Sequence, residues 1–182
     1  MTASGASGRP ASGTQPSAAS TAVLSIGANL GDRLAALQSA VDGFADYLSG
    51  PDPISPVYET QPWGGVEQPA YLNAVVLVTG HRSPAQWLEL AHILEQSAGR
   101  TREVQWGART LDIDIINVDD IRSDDPTLTL PHPHAHGRAF VLVPWLDVDP
   151  DASLPGHGRV ADLVQRVDTS GVTRWGQLRG RP

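Results

Sequence analysis

Two aspartates, Asp112 and Asp114, stand one residue apart within the largely apolar segment from Thr110 to Val118. The segment predicts a strand, and because side chains alternate along a strand, both carboxylates project from one face, roughly 7 Å apart at the backbone. Two like charges this close favour a cation between them. Hard oxygen ligands in a chain without cysteine indicate magnesium rather than zinc. The alternative is an ordinary solvated strand face.

Nearby arginines favour the metal-site interpretation. Arg109 shortly precedes the first aspartate, and Arg100 and Arg102 lie in the adjoining glycine-containing loop. All 13 basic residues of the chain are arginine, which excludes a P-loop lysine, Schiff-base chemistry and a lysine general base. Two carboxylates for metal ions and several arginine forks are what a polyphosphate-binding site needs in the absence of lysine.

A second pair, Tyr71 and Asn73, shares one face of another predicted strand by the same alternation. An aromatic ring beside an amide that both donates and accepts hydrogen bonds suits a flat, hydrogen-bonding heterocycle. The alternative is a core tyrosine next to a satisfied asparagine.

Three alternating histidines, His132, His134 and His136, follow Leu130 and precede Arg138. Alternation across a proline-rich turn does not place the three rings on one face, and no acidic residue lies inside the cluster. Zinc ligation is one interpretation, and a histidine that contacts phosphate together with the arginine is the one we favour.

Composition limits the classes of protein. The 182 residues are enough for one domain with a packed core, and no window approaches the ~20 consecutive apolar residues of a membrane span. The net charge of −7 disfavours binding to nucleic acid, which depends on phosphate neutralisation. We therefore expect small-molecule substrates, with neither a membrane nor a nucleic acid as partner.

The first residues differ in composition from the rest. After Met1, the remainder of residues 1–20 are Ala, Ser, Gly, Thr, Pro and Gln with one charge, Arg9. This composition predicts a disordered tail, followed by a single domain over residues 21–180. The tail lacks the continuous apolar segment of a secretory signal, and we expect a cytoplasmic monomer.

Apolar patterning predicts strands over residues 22–26, 54–60, 71–79 and 110–118, with a helix after the first and after the third. Asp32 is placed to cap the first helix, and Ser83-Pro84-Ala85-Gln86 has the pattern of a capping box at the start of the second. Pro56 predicts that its strand is irregular or at an edge. The order predicts an α+β, ferredoxin-like two-layer sandwich with a βαββαβ core.

The C-terminal additions are less regular. Residues 139–146 are apolar but ambiguous because Pro144 interrupts them, while residues 160–167 suggest a helix and 172–178 a last strand.

Several strings occur in the order and spacing of one family. The sequence resembles the 6-hydroxymethyl-7,8-dihydropterin pyrophosphokinases, enzymes of folate synthesis. The strings are Gly27-Ala28-Asn29-Leu30-Gly31-Asp32, Tyr71-Leu72-Asn73-Ala74, Gly99-Arg100-Thr101-Arg102, Trp106-Gly107-Ala108-Arg109-Thr110-Leu111-Asp112-Ile113-Asp114 and Leu130-Pro131-His132-Pro133. The resemblance implies a ferredoxin-like core that transfers the β,γ-pyrophosphoryl unit of ATP to the pterin hydroxymethyl oxygen and releases AMP.

The resemblance also implies residue roles. Asp112 and Asp114 would hold two magnesium ions that bridge the ATP phosphates and the acceptor hydroxyl. The arginines of the loop, Arg100, Arg102 and Arg109, would be catalytic. The residues implied to bind the pterin are Thr60, Trp63, Tyr71, Asn73 and Phe140. The residues implied to bind ATP are Glu95, Arg102, Arg109, His132 and Arg138.

The sequence departs from the family pattern at three positions. Gln105 stands where the family usually has arginine, Ala108 replaces the usual proline, and Ala28 replaces the usual serine. A rival interpretation from another class is a non-catalytic ferredoxin-like binding module. A third is a metal hydrolase that uses the three histidines.

Overall fold

The computed structural model describes residues 18–61, 69–99 and 110–180. The predictions for the first 17 residues, for Trp63 and for the arginines of the 100–109 segment lie outside these residues. No helix among the described residues is long and apolar enough to cross a membrane.

The first two-thirds of the chain alternate strands and helices in the predicted order. The elements are β1 (Ser20–Ala28), α1 (Arg33–Gly43), β2 (Pro56–Thr60), β3 (Tyr71–Gly80), α2 (Pro84–Ser97) and β4 (Asp112–Val118). The C-terminal elements are β5 (Ser123–Asp125), β6 (Leu128–Leu130), α3 (Ala139–Val148), β7 (Ser153–Leu154), β8 (Gly158–Arg159), α4 (Val160–Val164) and β9 (Val172–Gln177). Short 3-10 helices cover Ala45–Tyr47 and Ala135–Gly137.

The central sheet is antiparallel, with strand order β4-β1-β3-β2-β9. Its first four strands form the predicted βαββαβ core, and β9 extends the sheet beyond β2. One core packs α1 and α2 against one face, around Leu24, Val76 and Trp87. The C-terminal additions cover the other face, where Val141, Leu142 and Trp145 of α3 meet Val23 and Val75. The ferredoxin-like prediction is confirmed, and the additions complete a second helical layer.

Both helix starts follow the sequence. The Asp32 side chain accepts a hydrogen bond from the backbone N–H of Ala35 at 3.0 Å, as a capping aspartate does. Ser83 and Gln86 form a reciprocal capping box, with Pro84 at the first helical position. These local signals depend on neighbours only three residues away, which is why the sequence predicts them well.

Strand β2 is not at an edge, contrary to one of the two predictions for Pro56. It lies between β3 and β9, because residues far along the chain return to pair with it. Pro56 is tolerated since it is the first residue of the strand. The predicted irregularity is present as a register shift between Val57 and Tyr58.

Candidate active site

The two aspartates lie on β4, at the edge of the sheet. Both are partly buried, whereas Ile113 and Ile115 on the opposite face are only 4% and 3% exposed. The predicted alternation is therefore confirmed. It places two carboxylates side by side on the face that α3 covers, with the core holding the strand from behind.

Glu95 of α2 fixes the outer edge of β4. It is 3% exposed, and its Oε1 accepts a hydrogen bond of 2.9 Å from the backbone N–H of Ile113. An edge strand has no neighbour to satisfy its outward amides, and this carboxylate supplies one acceptor. The contact holds the strand segment between the two aspartates against α2.

His132 and Arg138 approach the same carboxylate from the C-terminal segment. Arg138 Nη1 lies 3.3 Å and His132 Nε2 lies 3.9 Å from Asp114 Oδ2. The backbone N–H of His132 donates to Ile116 O at 2.8 Å, which anchors the turn on β4. The three side chains together form a mixed-charge cluster beside β4.

The hydrogen bonds and the surroundings of His132 define its protonation. Its Nδ1 accepts from the backbone N–H of His134 at 3.2 Å, which assigns the proton of the neutral ring to Nε2. Burial first, and then the charges of Arg138 and His134, lower the pKa of His132 to about 4, against smaller opposing contributions from a backbone hydrogen bond and from Asp112. At neutral pH the ring is therefore uncharged, and its Nε2 lies 3.9 Å from Asp114 Oδ2.

The three histidines do not converge. The rings of His132 and His134 meet edge to face, with centroids 6.0 Å apart, while His136 stacks on His157 at 4.3 Å. Within the described ranges, no group of three or more His, Cys, Asp or Glu residues is arranged to hold a metal ion. The third interpretation, a histidine-based metal hydrolase, therefore has no supporting geometry here.

A cleft of about 290 Å³ opens beside β4. Its walls are α2, β4 and the β5–β6 hairpin, and its lining includes Leu88, Glu95, Asp114, Leu128 and His132. The lining combines carboxylates and histidine with apolar side chains. Such a mixed lining suits a ligand that has both an apolar ring and charged groups.

A second, uncharged group of residues lies at the paired ends of β2 and β3. Asn73 is 4% exposed, and its Nδ2 donates to Thr60 Oγ1 at 2.8 Å. Thr60 pairs directly with Tyr71 in the β-ladder. Three of the residues implied to bind a pterin are thus brought together.

Gly27 connects the two groups. It is paired with Asp112 on one side and with Asn73 on the other. A Cβ at this position would lie 3.0 Å from Asn73 Oδ1, so the missing side chain leaves room for the amide. The motif that contains Gly27 is visible in the sequence. Its position between the carboxylates and the Asn73 amide is revealed only by the strand register.

Phe140 lies in the first turn of α3, the helix packed over this face of the sheet. The guanidinium of Arg138 lies 5.6 Å from the centre of the Phe140 ring. One short segment therefore presents an aromatic ring and the cation that pairs with Asp114.

Two further contacts at the β2–β3 end have no signal in the sequence. Arg33 Nη1 donates to Glu59 Oε1 at 3.0 Å and to Ala70 O at 2.7 Å, which joins the start of α1 to β2 and to the residue that precedes β3. The hydroxyl of Tyr58 donates to Asp147 Oδ2 at 2.6 Å. Both contacts join residues distant in the chain, so only the folded topology reveals them.

Paired carboxylates, an arginine and a neutral histidine thus lie together at the edge of a ferredoxin-like sheet. The model of the 7,8-dihydro-6-hydroxymethylpterin-pyrophosphokinase (HPPK) family matches residues 23–150. The chain belongs to this family.

Relatives of known name support the family assignment, and solved structures support the fold. The Mycobacterium leprae 2-amino-4-hydroxy-6-hydroxymethyldihydropteridine pyrophosphokinase is 53% identical over 157 residues, covering 80% of this chain and 78% of the relative. The enzyme of that name from Mycobacterium tuberculosis strain H37Rv is 48% identical over 146 residues, covering 75% and 76%. A crystal structure of Plasmodium falciparum HPPK-DHPS has a TM-score of 0.62 at 16% identity, which supports the fold alone. That match covers 82% of this chain and 46% of the other.

Proposed function

We propose that this chain transfers the β,γ-pyrophosphoryl group of ATP to 6-hydroxymethyl-7,8-dihydropterin, a step of folate synthesis. The hydroxymethyl oxygen attacks the β-phosphorus, the bond to the α,β-bridging oxygen breaks, and AMP and a proton leave. The observation that carries the proposal is the row Asp112–Gly27–Asn73 across three strands. Two interstrand steps span roughly 10 Å, which suits a phosphate site next to an acceptor site.

The nucleotide would bind in the cleft beside β4. Leu88 and Leu128 offer apolar surface for the base, and Arg138 and the Nε2–H of His132 are donors for phosphate oxygens. A neutral histidine donates without adding charge. The phosphates would thus lie beside Asp114, where the acceptor hydroxyl has to approach.

The paired carboxylates fit magnesium. Asp112 and Asp114 are hard oxygen donors on one face, both partly exposed and therefore accessible to a hydrated ion. We propose that they hold two Mg²⁺ ions, which when bound neutralise phosphate charge. The core behind β4 and the Glu95 contact keep both carboxylates in place, so little reorganisation accompanies binding.

The pterin would bind at the β2–β3 end. Asn73 retains its carbonyl oxygen for the ring edge while its amide nitrogen is held by Thr60. Tyr71 and Phe140 supply aromatic surface for stacking. By the family resemblance, the proposal adds Trp63 to the pterin site. It also assigns a catalytic role to the arginines at positions 100, 102 and 109.

The proposal includes the state of the protein. We expect a monomer that works in the cytoplasm, where ATP is available. The predicted domain of residues 21–180 begins one residue earlier, because Ser20 is the first residue of β1 and is buried. Gel filtration of the full chain tests the monomer.

The reaction is tested by product analysis. The protein is incubated with ATP, Mg²⁺ and the hydroxymethyldihydropterin, and nucleotides are separated by chromatography. We expect AMP and pterin diphosphate in equal amounts, with neither formed when the pterin is omitted. Release of ADP instead of AMP, or no acceptor-dependent product, would contradict pyrophosphate transfer. The rival non-catalytic module has no support among the comparisons.

A further inference from the structure

One short hydrogen bond connects β2 with α3, the strand and the helix on either side of the uncharged group of residues. The Tyr58 hydroxyl on β2 donates to Asp147 Oδ2 on α3 at 2.6 Å, across 89 residues of sequence. Tyr58 is 9% exposed. Its burial first, and then the bond to Asp147, raise the pKa of Tyr58 to about 12, so the hydroxyl keeps its proton at neutral pH.

The two partners are in register with residues that face the proposed acceptor. Tyr58 pairs directly with Asn73 in the β2–β3 ladder, so both side chains leave the sheet on the same face. Asp147 follows Phe140 by seven residues in α3, about two turns, which places both on one side of the helix. The bond therefore connects the strand pair that carries Asn73 with the helix that carries Phe140.

Apolar packing alone does not define this connection closely. The contacts of Val141, Leu142 and Trp145 hold α3 on the sheet, but burial of apolar surface is not directional. A charge-assisted hydrogen bond of 2.6 Å is directional and stronger than a neutral one. It can fix the separation and the rotation of α3 relative to β3.

We infer that Tyr58 and Asp147 are positioning residues that set the spacing between Asn73 and Phe140 and thereby the affinity for the flat acceptor. The inference rests on the proposed function, because the proposed function places the pterin between Asn73 and Phe140. Neither residue is required to touch the substrate. Their loss is expected to act on acceptor binding and to leave nucleotide binding unchanged, because Arg138 at the start of α3 is held separately by Asp114.

The test is steady-state kinetics with both substrates varied. Tyr58→Phe and Asp147→Ala each remove the bond, and each should raise the KM for the pterin about tenfold, with kcat and the KM for ATP within about twofold of the parent protein. Asp147→Asn keeps an oxygen that accepts from the tyrosine and should stay within about threefold of the parent value. Because the two partners form one contact, the double variant Tyr58→Phe/Asp147→Ala should be no worse than either single one.

Tyr47→Phe is the matched control. The Tyr47 hydroxyl accepts from Arg82 Nη2 at 2.8 Å, at the end of β3 away from Asn73, so this change removes a comparable bond without touching β2 or α3. Both KM values should remain those of the parent. Asp147 is exposed, so Asp147→Ala leaves the core intact and decides the matter if Tyr58→Phe does not fold.

Two results would overturn the inference: an unchanged pterin KM in Asp147→Ala, or an equal rise in Tyr47→Phe, which would indicate general destabilisation. Pterin affinity is also measured without ATP, by titration of the parent protein and of each variant. A parent protein that neither releases AMP nor binds the pterin refutes the proposed function itself. A working parent with insensitive variants refutes only the positioning role.

Discussion

The two ends of the row Asp112–Gly27–Asn73 differ in charge and in exposure to solvent. At β4 the side chains are charged, partly exposed and at the sheet edge, with Asp114 shared between Arg138 and His132. At the β2–β3 end Asn73 is neutral, buried and held by a hydrogen bond to Thr60. A site for ions and phosphates has to exchange them with solvent. A site for a flat heterocycle discriminates by fixed donors and acceptors, which rigidity improves.

The largest expected effect is at the charged end. Asp112→Ala or Asp114→Ala removes a proposed metal ligand and should lower kcat by about a thousandfold or more, while the KM for the pterin changes little. Steady-state kinetics over a magnesium titration measures this, and the magnesium needed for half-maximal rate should rise for any residual activity. Circular dichroism should show an unchanged fold, since both side chains lie outside the apolar core.

Asp162→Ala is the control for these two variants. Asp162 is an exposed aspartate on α4, and its loss removes the same charge away from β4. Full activity in the control and in either β4 variant would mean that the carboxylates are a solvated strand face, and the distinction between the two ends would disappear.

A smaller effect is expected at high pH, where the free energy of unfolding should fall because Tyr58, at the uncharged end, loses its proton. The pKa of Tyr58 in the folded state, about 12, lies above the ordinary value of 10, so the folded state holds this proton more tightly. The stabilisation is complete below pH 10 and is lost as the pH rises from 10 through 12, on the order of 2 kcal/mol. Denaturant unfolding over this range should show the decline in the parent protein and a shallower one in Tyr58→Phe.

The composition makes this measurement clean. The chain has no lysine and only three tyrosines, so few other side chains titrate between pH 10 and pH 12. Identical pH dependence in the parent and in Tyr58→Phe would show that the phenol is not tied to Asp147.

An effect of about tenfold is expected where the two ends meet. In Gly27→Ala the new methyl group would lie 3.0 Å from Asn73 Oδ1, tighter than ordinary contact, so the amide has to shift. The KM for the pterin should rise about tenfold with the KM for ATP unchanged. Gly176→Ala on β9 is the matched control, because a Cβ there meets nothing within 4 Å. Equal kinetics in the two variants would remove Gly27 from the acceptor site.

The difference between the two ends also explains what the sequence could predict. Asp112 and Asp114 are visible because a strand alternates with period two, and Asp32 and Ser83 are visible because a cap acts over one turn. The family strings add the order of the remaining residues. These signals are local, and the two carboxylates of the charged end are predicted by them.

The uncharged end depends on partners that are distant in the chain. Nothing near Tyr58 indicates that Asp147 accepts its hydroxyl, or that β9 will cover the outer side of β2. The sequence leaves α3 ambiguous because Pro144 opposes helix formation. In the fold, the buried residues of α3 pack on the sheet and outweigh the effect of the proline. Tertiary contacts decide both matters, and one sequence contains no direct record of them.

The smallest expected effect concerns Arg33, which supports the β2–β3 end from the face opposite α3. Its side chain is 25% exposed and bonds Glu59 and the carbonyl of Ala70. Arg33→Ala should cost about 1 kcal/mol of unfolding free energy and raise the KM for the pterin about threefold, with kcat unchanged. Arg33→Lys should recover part of both, because an ammonium reaches the same oxygens without the guanidinium geometry.

Arg159→Ala is the matched control, since the Arg159–Asp151 pair is 60% and 95% exposed and should contribute almost nothing. If Arg33→Ala lowers stability but leaves the pterin KM unchanged, the acceptor end is positioned from the α3 side alone, through Tyr58 and Asp147. If the KM rises as expected, both faces of the sheet hold that end. The charged end is held by the core behind β4, by the Glu95–Ile113 contact and by the His132–Ile116 backbone bond. Measuring Arg33→Ala together with Tyr58→Phe then decides between these cases, because independent supports give additive free energies and a shared one does not.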